Sequence, residues 1–256
     1  MSTDKTSVRQ KAAAAKAEQE RQEKKDKMVR WGGIIIVVIL VLGIIVGAVL
    51  ASRKPQAEPL PTPSSVTLPT GVTAEGYTMG TVRAGVPNVT VWEDFQCPGC
   101  QLFSEKYGQT LETWVKEGKI TLTFRPAMFL DQRFPESKNS SARATAALGC
   151  AIDAGKGPEY ILAVYAAQPI QEGEGYTEST LLGLGQQVGL TGATLDTFTN
   201  CVKSGKYLSW PAASEKAFEA ANIPTTPTIL VNGKTIQAAS APTADALYAM
   251  ITNANK

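Results

Sequence analysis

From Trp31 to Ala51 the chain reads WGGIIIVVILVLGIIVGAVLA, 21 residues without a charged side chain. No other stretch restricts the fold as strongly. In hydrocarbon every backbone amide must be paired within its own segment, and an α-helix does this. At 1.5 Å per residue the run makes a helix of about 31 Å, enough to cross a bilayer core. Charge is distributed to match. Residues 1–30 hold nine Lys/Arg and five Asp/Glu, whereas residues 55–256 hold fourteen and eighteen. Basic residues gather on the cytoplasmic side of a span, so the N-terminus is expected in the cytoplasm and the rest of the chain outside it. The alternative is a cleaved signal peptide, for which Val49 and Ala51 supply small residues. However, the run is long for an h-region of ~7–15 residues, and Arg53 and Lys54 follow it at once. An uncleaved anchor at 31–51 is therefore expected.

The segments around it differ in composition. The 1–30 tail includes KAAAAKAEQERQEKKDK, which has good helix formers but no apolar face. It reads as a solvated tail whose basic residues lie where anionic lipid would meet them. Residues 52–71 carry five prolines, from Pro55 to Pro69, and read as a semi-rigid spacer. A folded domain of 185 residues, 72–256, remains, and it shows no internal repeat. A net charge of +2 gives no sign of a nucleic-acid partner. The chain has no histidine, which excludes Ser-His-Asp and Cys-His catalysis and any imidazole-ligated zinc site.

Within the domain, Tyr77–Arg83 is expected as a leading strand. Val89–Phe95, VTVWEDF, is β-branched and aromatic and is expected as a central strand. From Pro98 apolar residues recur at spacings of three and four (Leu102, Phe103, Tyr107, Leu111, Trp114, Val115), which predicts a helix ending at Gly118. Ile120–Arg125 predicts a second strand, so the order is β-α-β. Five helical patterns follow between about 137 and 223: 139–154, 159–167, 178–188, 195–203 and 211–221. Thr228–Val231 then predicts a strand, Asn232-Gly233 a hairpin turn with 234–237 as partner, and 243–253 a last helix.

The chemistry is expected at Asp94–Phe103, DFQCPGCQLF. Cys97 falls at the turn from strand to helix. Pro98 has a fixed φ and no amide hydrogen, which suits the first helical position. Cys97 would then face the unpaired amides of a helix N-terminus, where a thiolate is stabilised and its pKa falls below ~8.5. Cys100, one turn on, can attack a mixed disulfide formed on Cys97. This is a dithiol redox pair with an outer nucleophile and an inner resolving thiol. Zinc binding would need a second cysteine pair at ligand spacing, and Cys150 and Cys201 stand far apart. A purely structural Cys97–Cys100 bridge is the other alternative.

With these motifs the chain resembles the membrane-anchored, DsbA-like thiol–disulfide oxidoreductases. The likeness rests on WEDFQCPGC, the helical insertion and IPTTPTILVNGK (223–234), and it covers about residues 75–256. It implies an α/β thioredoxin fold with a helical insertion, preceded here by the single transmembrane helix. It further implies a cis Thr226-Pro227 bond packed beside Cys97 and Cys100, with Pro98 and Gly99 setting the redox poise. Substrates would be reduced or misoxidised secreted proteins, and a membrane enzyme would re-oxidise the pair; no cofactor or metal is implied. The alternatives are a reductase or isomerase, and a non-catalytic module that holds peptides in the same groove.

Two departures stand out. The dipeptide between the cysteines is Pro98-Gly99, without the histidine of the strongest oxidants. Relatives often carry a carboxylate six residues before the first cysteine, where this chain has Val91. Glu93 and Asp94 lie closer and are candidates to replace it, although two acids at a strand end usually read as solvated or helix-capping. Cys150 and Cys201 are left over in the insertion. Outside the cytoplasm an even cysteine count favours a structural disulfide between them, the alternative being two buried thiols.

Overall fold

The computed structural model describes residues 65–73 and 76–255. The basic tail, the 31–51 run and most of the spacer lie outside those residues. Among the described residues no helix is long and apolar enough to cross a membrane.

Six strands form one sheet: β1 (Val72–Thr73), β2 (Gly76–Met79), β3 (Asn88–Glu93), β4 (Thr121–Pro126), β5 (Thr228–Val231) and β6 (Lys234–Ile236), in the order β1-β2-β4-β3-β5-β6. β3 and β4 are parallel and are joined by helix α1 (Pro98–Lys116); the other neighbours are antiparallel. The two-residue period of a strand sorts the side chains. Val89 and Val91 of β3, with Ile229 and Val231 of β5, face Phe103, Tyr107, Leu111 and Trp114 of α1 and Leu247 and Ile251 of the last helix. Trp92 falls in a separate cluster with Ala127 and Phe218. The β5–β6 hairpin turns at Asn232 (φ 48°) and Gly233 (φ 82°), both left-handed as a two-residue primed turn requires. The leading strand stops at Met79, short of the expected Arg83, because Gly80 adopts φ 86° and turns the chain.

Between β4 and β5 come six helices: α2 (Phe129–Arg133), α3 (Ser140–Asp153), α4 (Gly157–Ala166), α5 (Glu178–Gln187), α6 (Gly192–Lys203) and α7 (Ser209–Ala220); α8 (Ala244–Ala254) closes the chain. Sequence periodicity finds all of them except α2, whose five residues are too few to display a 3.6-residue repeat. Helix α3 is buried along nearly its whole length. Its Ala, Ser and Gly side chains let neighbours approach closely. A Cβ added at Gly149 would come within 2.9 Å of both Pro69 and Tyr207. Cys150 of α3 is disulfide-bonded to Cys201 of α6, with Cα atoms 5.8 Å apart.

The end of the expected spacer packs onto these helices. The Thr67 amide donates to Ser209 Oγ at 2.9 Å, and the Thr70 amide to Asp153 Oδ1 at 2.9 Å. Asp153 also accepts from the Tyr207 hydroxyl and, at 3.1 Å, from Lys206 Nζ.

Candidate active site

Cys97 is the N-cap of α1 and Pro98 its first helical residue. The Cys97 carbonyl accepts from the amides of Cys100 and Gln101, both at 3.1 Å. The antiparallel register Trp92↔Thr228 sets Pro227 opposite Glu93, at the end of β3 where α1 begins. The Thr226-Pro227 bond is cis. Cys97 Sγ lies 3.5 Å from the Thr226 carbonyl oxygen, and a Cβ added at Gly99 would sit 3.4 Å from Pro227 Cδ and 3.7 Å from Cys97 Sγ. The strand end, the helix start and the proline loop thus converge on the two cysteines. Both thiols are free. Cys100 has no exposed surface, and Cys97 keeps only 9%, less than an outer nucleophile was expected to show.

The two thiols titrate in opposite directions. Cys97 is lowered to about 6, first by a hydrogen bond from the Cys100 thiol and then, against the cost of burial, by the Thr226 hydroxyl and the amides of Cys100 and Gly99. As a thiol Cys97 donates to the Thr226 carbonyl. The Thr226 hydroxyl nearby is buried and has no hydrogen-bond partner, and it favours the thiolate form of Cys97. Cys100 is pushed well up, by burial first and then by its bond to Cys97 and the charges of Glu93 and Cys97. At neutral pH one sulfur is therefore a thiolate and the other holds its proton.

Glu93 and Asp94 are not solvated. Glu93 is 5% exposed and Asp94 fully buried. Burial and the nearby Cys97 charge raise Glu93 to about 8. Burial also raises Asp94 well above the usual carboxylate range, although it accepts from Ser141 Oγ (2.5 Å), the Gln96 amide (2.9 Å) and the Leu130 amide (3.1 Å). Asp94 does cap a helix, the short α2, but from inside the protein.

Asp131 of α2 completes this network and was not anticipated. It accepts from Gln96 Nε2 (2.8 Å) and from the Ser141 and Ala142 amides at the start of α3 (2.9 Å each). Burial raises it to about 6. The Phe95 carbonyl accepts from Gln168 Nε2 (2.7 Å) and the Tyr176 hydroxyl (2.6 Å). All three residues leading into Cys97 are therefore held by the helical insertion. Among the described residues five buried side-chain atoms lack a partner, and four belong to Glu93, Gln96, Tyr165 and Thr226. Unpaired polar atoms are rare in protein interiors, and their concentration around one dithiol marks a working site. Cys150 and Cys201 are bonded to each other and take no part in it. Among the described residues no group of three or more His, Cys, Asp or Glu is placed to hold a metal.

Comparison with known proteins agrees with this geometry. A family model described as thioredoxin matches residues 73–253. A search of curated proteins by sequence finds no match. Among solved structures, MdbA of Actinomyces oris, a thiol-disulfide oxidoreductase, is 22% identical, with a TM-score of 0.62, 74% of this chain covered and 93% of that one. DsbA of Chlamydia trachomatis is 21% identical (TM-score 0.56, 75% and 96% covered). BdbD of Bacillus subtilis is 20% identical (TM-score 0.55, 74% and 97% covered). At these identities the likeness establishes the fold.

Proposed function

Since the chain belongs to the thioredoxin family, we propose that it is a thiol–disulfide oxidoreductase that oxidises secreted or surface proteins through Cys97 and Cys100. One observation carries the proposal: a thiolate-forming Cys97 at a helix N-terminus, beside a cis-proline and a fully buried Cys100. MdbA of Actinomyces oris, which has the same fold, is a thiol-disulfide oxidoreductase.

The cycle follows from the two thiols. A substrate thiolate attacks Cys97 Sγ of the enzyme disulfide, and Cys100 leaves as a thiolate. Cys100 cannot keep that charge in its buried site and takes a proton from Glu93. A second substrate thiolate then attacks the mixed disulfide. The substrate departs with its own disulfide, and Cys97 is released as a thiolate. The substrate has lost two electrons and the enzyme has gained them. An exchange partner, which we take to be a membrane enzyme, accepts them when the pair is re-oxidised. The lowered pKa of Cys97 supports the oxidising direction. A thiolate with a pKa of about 6 favours the reduced form at pH 7 by about 1.4 kcal/mol, roughly 30 mV for a two-electron couple. The disulfide is a stronger oxidant by that amount. Without a histidine the effect falls short of the lowest thiolate values, ~3.5. The Trp31–Ala51 run and the basic tail support a membrane anchor with the catalytic domain outside the cytoplasm.

The full chain in detergent tests this. Its oxidised form should speed the formation of disulfides in a reduced, unfolded protein, and its reduced form should reduce insulin. Cys97→Ser should abolish both activities. If the wild-type chain does neither, it is a peptide-binding module and not an enzyme.

A further inference from the structure

Cys97 closes a tight turn. Its amide donates to the Asp94 carbonyl at 2.9 Å, and the Gln96 amide donates to Asp94 Oδ1 at 2.9 Å. The residue in front of the thiol, Gln96, is 3% exposed. Its side-chain amide is held by the nitrogen alone. Nε2 donates to Asp131 Oδ1 (2.8 Å) and to Ser141 Oγ (2.9 Å), while Oε1 is buried without a partner. A buried acceptor left unpaired is destabilising, so the side chain is fixed by what its nitrogen meets.

What it meets is Asp131 of α2, 4% exposed. Asp131 also accepts from the Ser141 and Ala142 amides, at 2.9 Å each. These are early amides of α3, which find no partner inside their own helix. The N-cap residue of α3, Asn139, does not cap it through its side chain. Each of these three partners of Asp131 is a donor, the arrangement that suits a carboxylate. Burial raises its pKa only to about 6, so at neutral pH and above the charge is present. Arg143 attracts that charge, and Asp94 and Glu215 repel it. One carboxylate thus fastens α2, the start of α3 and the turn that presents Cys97. Helix α3 is buried along nearly its whole length. It is a fixed post, and Gln96 is the arm that reaches from it to the thiol.

The thiol meets its neighbours with little to spare. Cys97 Sγ is 3.5 Å from the Thr226 carbonyl oxygen, and the amides that favour its thiolate belong to Gly99 and Cys100 in the first turn of α1. Hydrogen bonds weaken steeply with misalignment, so a small movement of the turn changes what the sulfur meets. We propose that Asp131 is a positioning residue of the reaction: acting through Gln96, it locks the Cys97 turn to α3 in the orientation in which Cys97 Sγ faces the first amides of α1 and the Thr226 loop. It rests on the oxidoreductase reading. Asp131 acts at one remove and takes no part in the exchange itself.

The sign of one shift tests this. Asp131→Asn keeps the shape, removes the charge and sets an amide nitrogen among donors. If Asp131 acted only through its field, loss of a negative charge would lower the Cys97 midpoint. Loss of positioning raises it. In the reduced full chain, the ultraviolet absorbance of the Cys97 thiolate should titrate about one unit higher in Asp131→Asn, toward the ~8.5 of a free cysteine. At pH 7, a rise from about 6 by about one unit moves the equilibrium with glutathione about fivefold toward the enzyme disulfide. Gln96→Met removes the donors without changing any charge and should give the same rise. The double variant should rise no further than either single variant, because both break one link. Replacing Cys150 and Cys201 together by serine lowers stability away from the site, and this control should titrate as the wild type does. A midpoint that is unmoved or lowered in Asp131→Asn, or shifts that add in the double variant, overturns the positioning role; if the wild type still exchanges disulfides, the oxidoreductase reading stands. If Asp131→Asn does not fold, the midpoint of Gln96→Met decides in the same way. A wild-type chain without exchange activity ends both.

Discussion

The strongest single test of the site's electrostatics is Glu93→Gln. Glu93 is 5% exposed, and its pKa in the reduced protein is raised from 4.5 to about 8, by burial first and by the Cys97 thiolate second. A carboxyl whose folded pKa is raised binds its proton more tightly in the native state than in the unfolded one. Stability is therefore undiminished below pH 4.5 and falls as pH rises through the window up to 8. The slope is about 1.4 kcal/mol per pH unit, and the whole window amounts to about 5 kcal/mol. Glutamine has nearly the same shape and does not titrate. Urea unfolding of the reduced wild type and Glu93→Gln should be compared at intervals between pH 5 and 8, and the two stabilities subtracted. Cys97 contributes with the opposite sign, since its lowered pKa adds stability as pH rises above 6. That contribution is present in both proteins and largely cancels in the difference. The variant should gain on the wild type by about 1.4 kcal/mol per unit across the window. In the oxidised proteins the gain should be smaller, because the Cys97 charge is gone. A difference that does not change with pH would mean that Glu93 titrates as an ordinary surface acid, and the proton-transfer role would lose its basis.

Three further outcomes follow from the geometry. Iodoacetamide should label Cys97 with a pH midpoint near 6 and leave Cys100 untouched until the protein unfolds; Cys100→Ser should accumulate mixed disulfides, and labelling of Cys100 ahead of Cys97 would contradict the assigned roles. Gly99→His should be accommodated, since an added Cβ makes only ordinary contacts at 3.4 and 3.7 Å, and it should lower the Cys97 midpoint and raise the reduction potential measured against glutathione; an unchanged potential would refute the electrostatic account. Replacing Cys150 and Cys201 together by serine opens a link across 51 residues of chain, which should cost about 4 kcal/mol, or about 10 °C in Tm, while leaving dithiol exchange in place; an unchanged Tm would count against it.

Features with local causes were legible in the sequence. The β-branched run, Pro98 at a helix start and Asn232-Gly233 at a hairpin each act within a few residues, and the strand, helix and turn stand where those residues demand. The network that holds the active-site loop was not legible. Asp94 is buried by partners 36 and 47 residues away, and Gln96 by partners 35 and 45 away. Asp131 sits on a helix too short to show a period. Nothing in VWEDFQ announces such contacts.

Glu93 is a different case, because a signal for it was present. Strand residues two apart share a face. Val89 and Val91 of β3 face α1, so Glu93, the next residue of that series, faces α1 as well. The alternation VxVxE places an acid on the buried face of a central strand, and the structure puts Val91 and Glu93 on the wall of the same cavity. The same period accounts for Val91 at the position six residues before Cys97, where relatives often carry a carboxylate. Positions six and four before the cysteine lie on one face of one strand, about 7 Å apart along it. A carboxyl at either position enters the same space. Moving the acid from 91 to 93 brings it closer to the start of α1 and leaves an apolar residue at the deeper position. This placement supports the proposal that Cys100 exchanges its proton with Glu93.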